Sequence, residues 1–291
     1  MSADAPPIIA IGGLGGSGTR VFAEALRSSG IRIGEDLNGS LDNLWFTVLF
    51  KRRAWTRRKP TDAEVARAIR LFHQAMTIGL ADAISGADID LVRALERDLL
   101  PGGTWNSGAR QRQVENLLQS APPAAEQAGR WGWKEPNTHV FLPQLDRLLP
   151  NFRYVHVIRD GLDMAFSGNT SQTQNWAHLF GLPEEEGMPT PVGQLRYWLA
   201  ANRAATSYGH RHMPGRFMVI RYEQFCARPS AYWPAICALA GGDPATPIPS
   251  GLIRPSTIGR SRDHDLSVLP QPLLDDLRAF EIDLENVADP S

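Results

Sequence analysis

Five glycines crowd residues 12–18, Gly12 to Gly18, with only Leu14 and Ser17 between them. The apolar run Ile8 to Ile11 precedes them, and an amphipathic segment opens at Thr19 and closes at Gly30. That pattern predicts strand, tight loop, helix. Such a loop leaves backbone N–H groups unpaired at the positive end of a helix, where anions bind. Glycine also lets the backbone approach a phosphate or sulfate with no Cβ in the way. The chemistry expected here is the binding of a phosphorylated cofactor. Gly13 to Gly18 fits the dinucleotide pattern GxGxxG, and Glu35 or Asp36 follows at about the ~20-residue distance of a ribose-gripping acid. The same glycine spacing occurs in the kinase loop GxxxxGK[ST]. Here Thr19 and Arg20 replace the lysine and hydroxyl residue, so the usual contact to the β- and γ-phosphates is missing.

Two further positions carry charge at predicted strand ends. Lys134 closes a short aromatic strand that contains Trp131 and Trp133, and ligands bind at that edge of open α/β sheets. Arg159 follows the apolar segment Val155 to Ile158, with Ser167 eight residues on. A guanidinium there can grip a phosphate on two sides, the serine adding a donor. The plainer alternative is a surface pair of Arg159 with Asp160 or Asp163, which stabilises little.

Five segments, in order, resemble the signatures of sulfotransferases that use 3′-phosphoadenosine 5′-phosphosulfate (PAPS), bacterial members in particular. Ser17 to Arg20, SGTR, resembles the SGTT core of their 5′-phosphosulfate loop; Trp131 to Asn137, WGWKEPN, resembles their strand-end lysine motif. Arg153 to Asn169 resembles the segment whose arginine and serine hold the 3′-phosphate. Val219 to Pro229, VIRYEQFCARP, resembles the strand after it, and Ile253 to Asp263 resembles the late loop that closes over the nucleotide. The resemblance implies that Gly15, Gly16, Ser17, Gly18, Thr19 and Arg20 cradle the phosphosulfate. It implies further that Arg159 and Ser167 take the 3′-phosphate and Tyr222 the adenine, with Arg254, Ser256, Gly259 and Arg260 in the closing loop. Lys134 would meet charge developing on the leaving oxygen, with no metal. Two departures stand out: Gly16 occupies a position where a lysine or arginine is common, and Pro136 occupies that of a histidine base. The base is then expected to be a carboxylate, as in protein-tyrosine sulfotransferases with a GEE-like motif. Gly34 to Asp36 resembles that motif, so Glu35 is the first choice and Asp36 the second, with His139 and Glu135 in reserve. The expected acceptor is a hydroxyl or amine of a small molecule, carbohydrate or lipid. The alternatives are an NAD(P)-dependent Rossmann oxidoreductase and a nucleotide-binding module without turnover.

Composition narrows the classes. The 291 residues are 43% hydrophobic and 21% charged, with net charge −1, which suits one large α/β unit and gives no sign of a nucleic-acid partner. Two cysteines, Cys226 and Cys237, read as reduced core thiols. No apolar run reaches the ~18–20 residues of a membrane span, and MSADAPP lacks the character of a signal peptide; a cytoplasmic enzyme is expected.

The elements that must position these groups alternate, which implies a parallel sheet. The expectation is one domain over residues 1–291, a P-loop-like parallel sheet of four or five strands flanked by helices. A mainly helical insertion is expected over 40–129. Thr61 to Glu64 reads as a capping box before Val65, Ile69, Phe72 and Met76 on one helical face. Residues 101–129 read as irregular with one helix, and the polar stretch 168–191 reads as a loop of lid type. Helices are expected over Val192–Tyr208, Ser230–Leu239 and Leu273–Ile282, and a strand over Phe217–Tyr222. The basic run Lys51 to Pro60 reads as a solvated turn, or as a collar for an acidic ligand.

Overall fold

The computed structural model describes residues 6–100, 107–125, 129–183, 186–253 and 258–286. In chain order the elements begin with β1 (Ile8–Gly13) and α1 (Thr19–Ser28). A helical block follows: α2 (Leu44–Phe50), α3 (Asp62–Thr77), α4 (Gly86–Asp98) and α5 (Ser107–Leu118). The core resumes with β2 (Trp131–Lys134), α6 (Leu142–Leu148), β3 (Phe152–Ile158), α7 (Gly161–Ala165), α8 (Ser171–Trp176) and α9 (Pro191–His212). It ends with β4 (Phe217–Arg221), α10 (Tyr222–Ala227), α11 (Pro229–Leu239) and α12 (Gln271–Asn286).

All strand pairings are parallel, in the order β2-β1-β3-β4, with Ile11 opposite Lys134, Gly13 opposite Val157 and Ile158 opposite Arg221. Among the described residues the sheet has four strands; the short apolar piece Ile31 to Ile33 contributes an isolated bridge from Arg32 to Trp131. β1 is buried at every residue because helices cover both faces, which is why its sequence is uniformly apolar rather than alternating. Ile8 and Ala10 point into one core with Trp133, Phe152 and Tyr154, while Ile9 and Ile11 point into a second with Phe22, Val155 and Trp233. The chain runs from β1 outward to β2, then returns to the opposite side of β1 for β3. That reversal opens a crevice at the C-terminal edge, where Gly13, Lys134, Ile158 and Arg221 end their strands.

The helical block packs on β2 through aromatic rings. Phe46 stacks on Phe50 at 4.1 Å and on Trp133 at 5.8 Å, and Phe72 meets Trp133 edge-on at 5.0 Å. Thr61 and Glu64 form the expected capping box, and Val65, Ile69, Phe72 and Met76 are buried. The stretch 168–191 departs from the sequence reading: it holds α8 and a 3-10 turn, Ala177–Phe180, because Thr173 and Trp176 bury themselves beneath it. The basic run is not simply solvated either. Lys51 pairs with Glu135, Arg52 with Asp98 and Arg58 with Glu64. Neither cysteine is in a disulfide. Among the described residues, no helix is long and apolar enough to cross a membrane, and no cluster of His, Cys, Asp and Glu could hold a metal.

Candidate active site

The glycine loop joins β1 to α1 at the crevice. Gly13 has φ 147° and Gly16 φ 98°, while Gly18 takes φ 83° as the residue that starts α1. A Cβ on Gly13 would collide with the Val157 carbonyl, and one on Gly18 with the Tyr222 ring. Backbone conformation thus demands glycine at both places, and at Gly16 it excludes a ready fit for lysine or arginine. The start of α1 has neither a side-chain cap nor an acidic residue in its first turn; Val21 N–H donates to the Gly18 carbonyl at 3.2 Å, and the N–H groups of Thr19 and Arg20 precede it at the positive end of the helix. Ser17 is 1% exposed and Thr19 3%, their hydroxyls beside those groups. Gly15 N–H, however, donates to Gln172 Oε1 at 3.0 Å. Arg20 is exposed on α1 and lines a cavity of about 490 Å³ with Glu24, Ser28 and residues 249–252.

On the β3 side Arg159 is 5% exposed, and Trp198 Nε1 holds its backbone carbonyl at 3.1 Å. Its Nη1 donates to the Gly16 carbonyl at 3.2 Å and its Nη2 to Asp163 Oδ2 at 3.3 Å, and the guanidinium lies 5.8 Å from the Tyr222 ring centre. The pairing with Asp163 therefore exists, but in the interior and not on the surface. Asp163 is 1% exposed and also accepts the N–H groups of Gly259 (2.8 Å) and Ser261 (2.9 Å), which ties the late loop to α7. Burial raises its pKa, but these hydrogen bonds and Arg159 outweigh burial and hold the carboxyl below its usual range. Ser167 is buried and accepts Asn169 N–H at 3.2 Å. Gly259 is left-handed, φ 80°, and opens the 3-10 turn that begins at Arg260. Arg254 and Ser256 lie outside the described residues.

On the β2 side Lys134 is 3% exposed. Its Nζ donates to Asp42 Oδ1 at 2.5 Å and to the Ser40 carbonyl at 3.0 Å. Next to it Glu135 is fully buried and pairs with Lys51. Burial raises the Glu135 pKa; it opposes the charge of Lys51 too, but Glu135 and Asp42 outweigh it there, so the Lys51 pKa rises. His139 is 3% exposed, burial pushes it down to about 4, and its Nδ1 faces the Pro136 carbonyl at 3.0 Å. Glu35 and Asp36 are not brought to Lys134. Glu35 is half exposed and takes two hydrogen bonds from Arg32, at 3.2 and 3.3 Å. Asp36 accepts Asn116 Nδ2 at 3.1 Å, and burial raises its pKa. Both line a cavity of about 440 Å³ with Trp45, Asn116 and Gln119.

The crevice thus brings together the glycine loop, Arg159, Asp163 and Tyr222 with the late loop at Gly259, and Ser167 reaches it through Asn169; Arg260 follows Gly259 in the chain. Lys134 stands one strand over. Sequence reading missed Asp42, which sits in a polar loop without a pattern, and the pair Lys51–Glu135. It weighed Asp163 only as a surface partner, although the i, i+4 spacing from Arg159 was the available signal.

A family model described as "Sulfotransferase family" matches residues 7–244. No curated protein matches the sequence. Among solved structures, the chain is similar to the sulfotransferase domain of the Synechococcus PCC 7002 olefin synthase (13% identity, TM-score 0.49, 96% of this chain and 97% of that one). It is also similar to the sulfotransferase domain from the curacin biosynthetic pathway (18%, 0.49, 96% and 97%) and to a sulfotransferase from Alicyclobacillus acidocaldarius (15%, 0.46, 95% and 96%).

Proposed function

The chain belongs to the sulfotransferase family, and from that premise we propose that it moves a sulfuryl group from PAPS to a hydroxyl or amine of a small-molecule, carbohydrate or lipid acceptor. Membership sets aside the oxidoreductase reading of the glycine loop. The observation that carries the donor assignment is the position of Arg159. A nearly buried guanidinium reaches both the crest of an anion-binding loop and, through Asp163, the late loop, with the Tyr222 ring beside it. The cradle also fits: a Cβ on Gly18 would fill the space between the loop and Tyr222. On this reading the N–H groups of Gly16, Gly18 and Thr19 and the Ser17 and Thr19 hydroxyls hold the phosphosulfate end, while Ser17 N–H closes the loop on the Leu14 carbonyl at 3.0 Å. Arg159 and Ser167 hold the 3′-phosphate, Tyr222 packs on the base, and Gly259 and Arg260 close the far side.

When bound, PAPS supplies an activated sulfuryl group. Lys134 ends β2 at the crevice, and on this reading its ammonium, held by Asp42 and the Ser40 carbonyl, answers the charge that grows on the leaving oxygen. We assign the proton-accepting carboxylate to Asp42 rather than Glu35, since Asp42 touches Lys134 and Glu35 is held by Arg32. The Lys51–Glu135 pair beneath supports Lys134 and fixes the strand end. The single-domain reading of residues 1–291, with 40–129 as an insertion, belongs to the same proposal.

The test is calorimetry with adenosine 3′,5′-bisphosphate and adenosine 5′-phosphate. A charge-assisted grip on the 3′-phosphate predicts a preference of about 2–4 kcal/mol for the bisphosphate, and Arg159→Ala removes most of it. Equal affinity in the wild type overturns the donor assignment.

A further inference from the structure

The glycine loop offers an anion no charge of its own: Gly13, Leu14, Gly15, Gly16, Ser17 and Gly18 are all neutral, and Arg20 is exposed on α1. A second element covers its crest. Gln172, on α8, accepts Gly15 N–H through Oε1 at 3.0 Å. That bond fixes which end of the carboxamide faces the backbone and leaves Nε2, with two donor hydrogens, over the loop. A Cβ built on Gly15 would lie 2.5 Å from Gln172 Nε2 and 2.9 Å from Asn169 Nδ2, so both carboxamide nitrogens converge on one point at the crest. Asn169 is oriented in turn, since its Oδ1 accepts Ser171 Oγ at 2.9 Å and its backbone N–H donates to Ser167 Oγ at 3.2 Å. Among the described residues neither amide nitrogen has an acceptor.

We propose that Gln172 and Asn169 are anion-binding residues of the phosphosulfate site, two neutral donors that meet the oxygens at the crest of the glycine loop. The proposal rests on the reading of this loop as a phosphosulfate cradle. The hydrogen bond accepted on Gln172 Oε1 polarises the amide and strengthens its Nε2 donors, so Gly15 N–H acts through Gln172 instead of being lost to the anion. A glutamine suits the place because it both accepts from the loop and donates to the ligand. Glutamate accepts equally well but cannot donate. It also sets a negative charge against an anion.

The experiment titrates the full chain and its variants with adenosine 3′,5′-bisphosphate, followed by calorimetry. Gln172→Glu is expected to weaken binding by at least tenfold and Gln172→Ala by about three- to tenfold. Gln172→Lys is expected to bind at least as tightly as wild type, with a steeper dependence on salt. Gln174→Ala, an exposed neighbour on α8, controls for damage to the helix, and an unchanged melting temperature controls for folding. If the wild type binds the bisphosphate while Gln172→Glu and Gln172→Ala bind it equally well, the role of α8 is overturned and the cradle stands. Failure of the wild type to bind overturns the cradle itself, and this proposal with it.

Discussion

The two sides of the crevice are built on different principles. The β1–β3–β4 side pairs one buried ion pair, Arg159 with Asp163, with a site made largely of backbone. Glycine N–H groups form the loop, a left-handed glycine starts the helix, and Asp163 anchors the late loop through the N–H groups of Gly259 and Ser261. The β2 side is made of ionised side chains that answer one another, Lys134 with Asp42 and Lys51 with Glu135. A backbone site presents fixed dipoles whatever its occupancy, which suits holding a nucleotide. A site of paired side chains stores charge that a ligand can redistribute, which suits a chemical step. Removing one member of a buried pair also leaves its partner uncompensated. Substitutions on the β2 side should therefore act on turnover, and those on the other side on nucleotide affinity.

The largest expected effect is that of Asp42→Asn, which keeps shape and removes basicity. Sulfuryl transfer from PAPS to a panel of hydroxyl acceptors should slow by about 10²–10⁴-fold, with nucleotide affinity altered far less. Wild-type turnover in this variant would return the base to Glu35, Asp36, Glu135 or His139. Next comes Lys134→Ala. On the proposed function its charge matters only as the leaving oxygen develops charge, so kcat should fall about 10²–10³-fold. A mutant with normal kcat and weakened binding would erase the contrast between the two sides, since Lys134 would then act as a ground-state contact.

A smaller effect is expected from acid. The Asp163 carboxyl has a lower pKa folded than unfolded. Its contribution is complete above the usual aspartate range near ~4 and is lost as pH falls through the lower folded value. Nucleotide affinity should weaken below about pH 4 as the late loop loosens. In Asp163→Asn, bisphosphate affinity at neutral pH should be lower and this acid step absent. If the step persists in Asp163→Asn, another group holds the loop. The smallest effect is that of Glu35→Gln. With Glu35 half exposed and paired among the described residues to Arg32, turnover should change by less than about threefold, as for an exposed ion pair.

Much of the backbone side is legible in the sequence. Ile8 to Ile11, the glycines and the helix after them form one contiguous segment, and local sequence specifies local dihedrals. Arg159 is legible because a strand end sets its position, and α3 because its capping box and apolar face are both short-range patterns. The other side is not. Lys134 shows itself at its strand end, but its partner comes from a loop 92 residues earlier and the partner of Glu135 from the end of α2. No periodicity marks either. Glu35 and Asp36 resemble a motif in type and spacing, yet Arg32 and Asn116 claim them, because Gly34 turns the chain at φ 108° and the loop folds past the strand end before Asp42 returns to it. The polar stretch after Ser167 reads as a lid. Its helix forms because Thr173 and Trp176 find a core to enter, which only the packed neighbours supply.

By itself, then, the sequence determined that a glycine loop joins a buried strand to a helix, and that a parallel sheet carries Lys134 and Arg159 at one edge. These follow from dihedral preference and burial, which act over a few residues. Only the tertiary structure decided which carboxylate meets Lys134, that Asp163 faces inward, and that carboxamides from α8 lie over Gly15. Those pairings join segments tens of residues apart, and their energy depends on distance and desolvation, which exist only after the chain has packed.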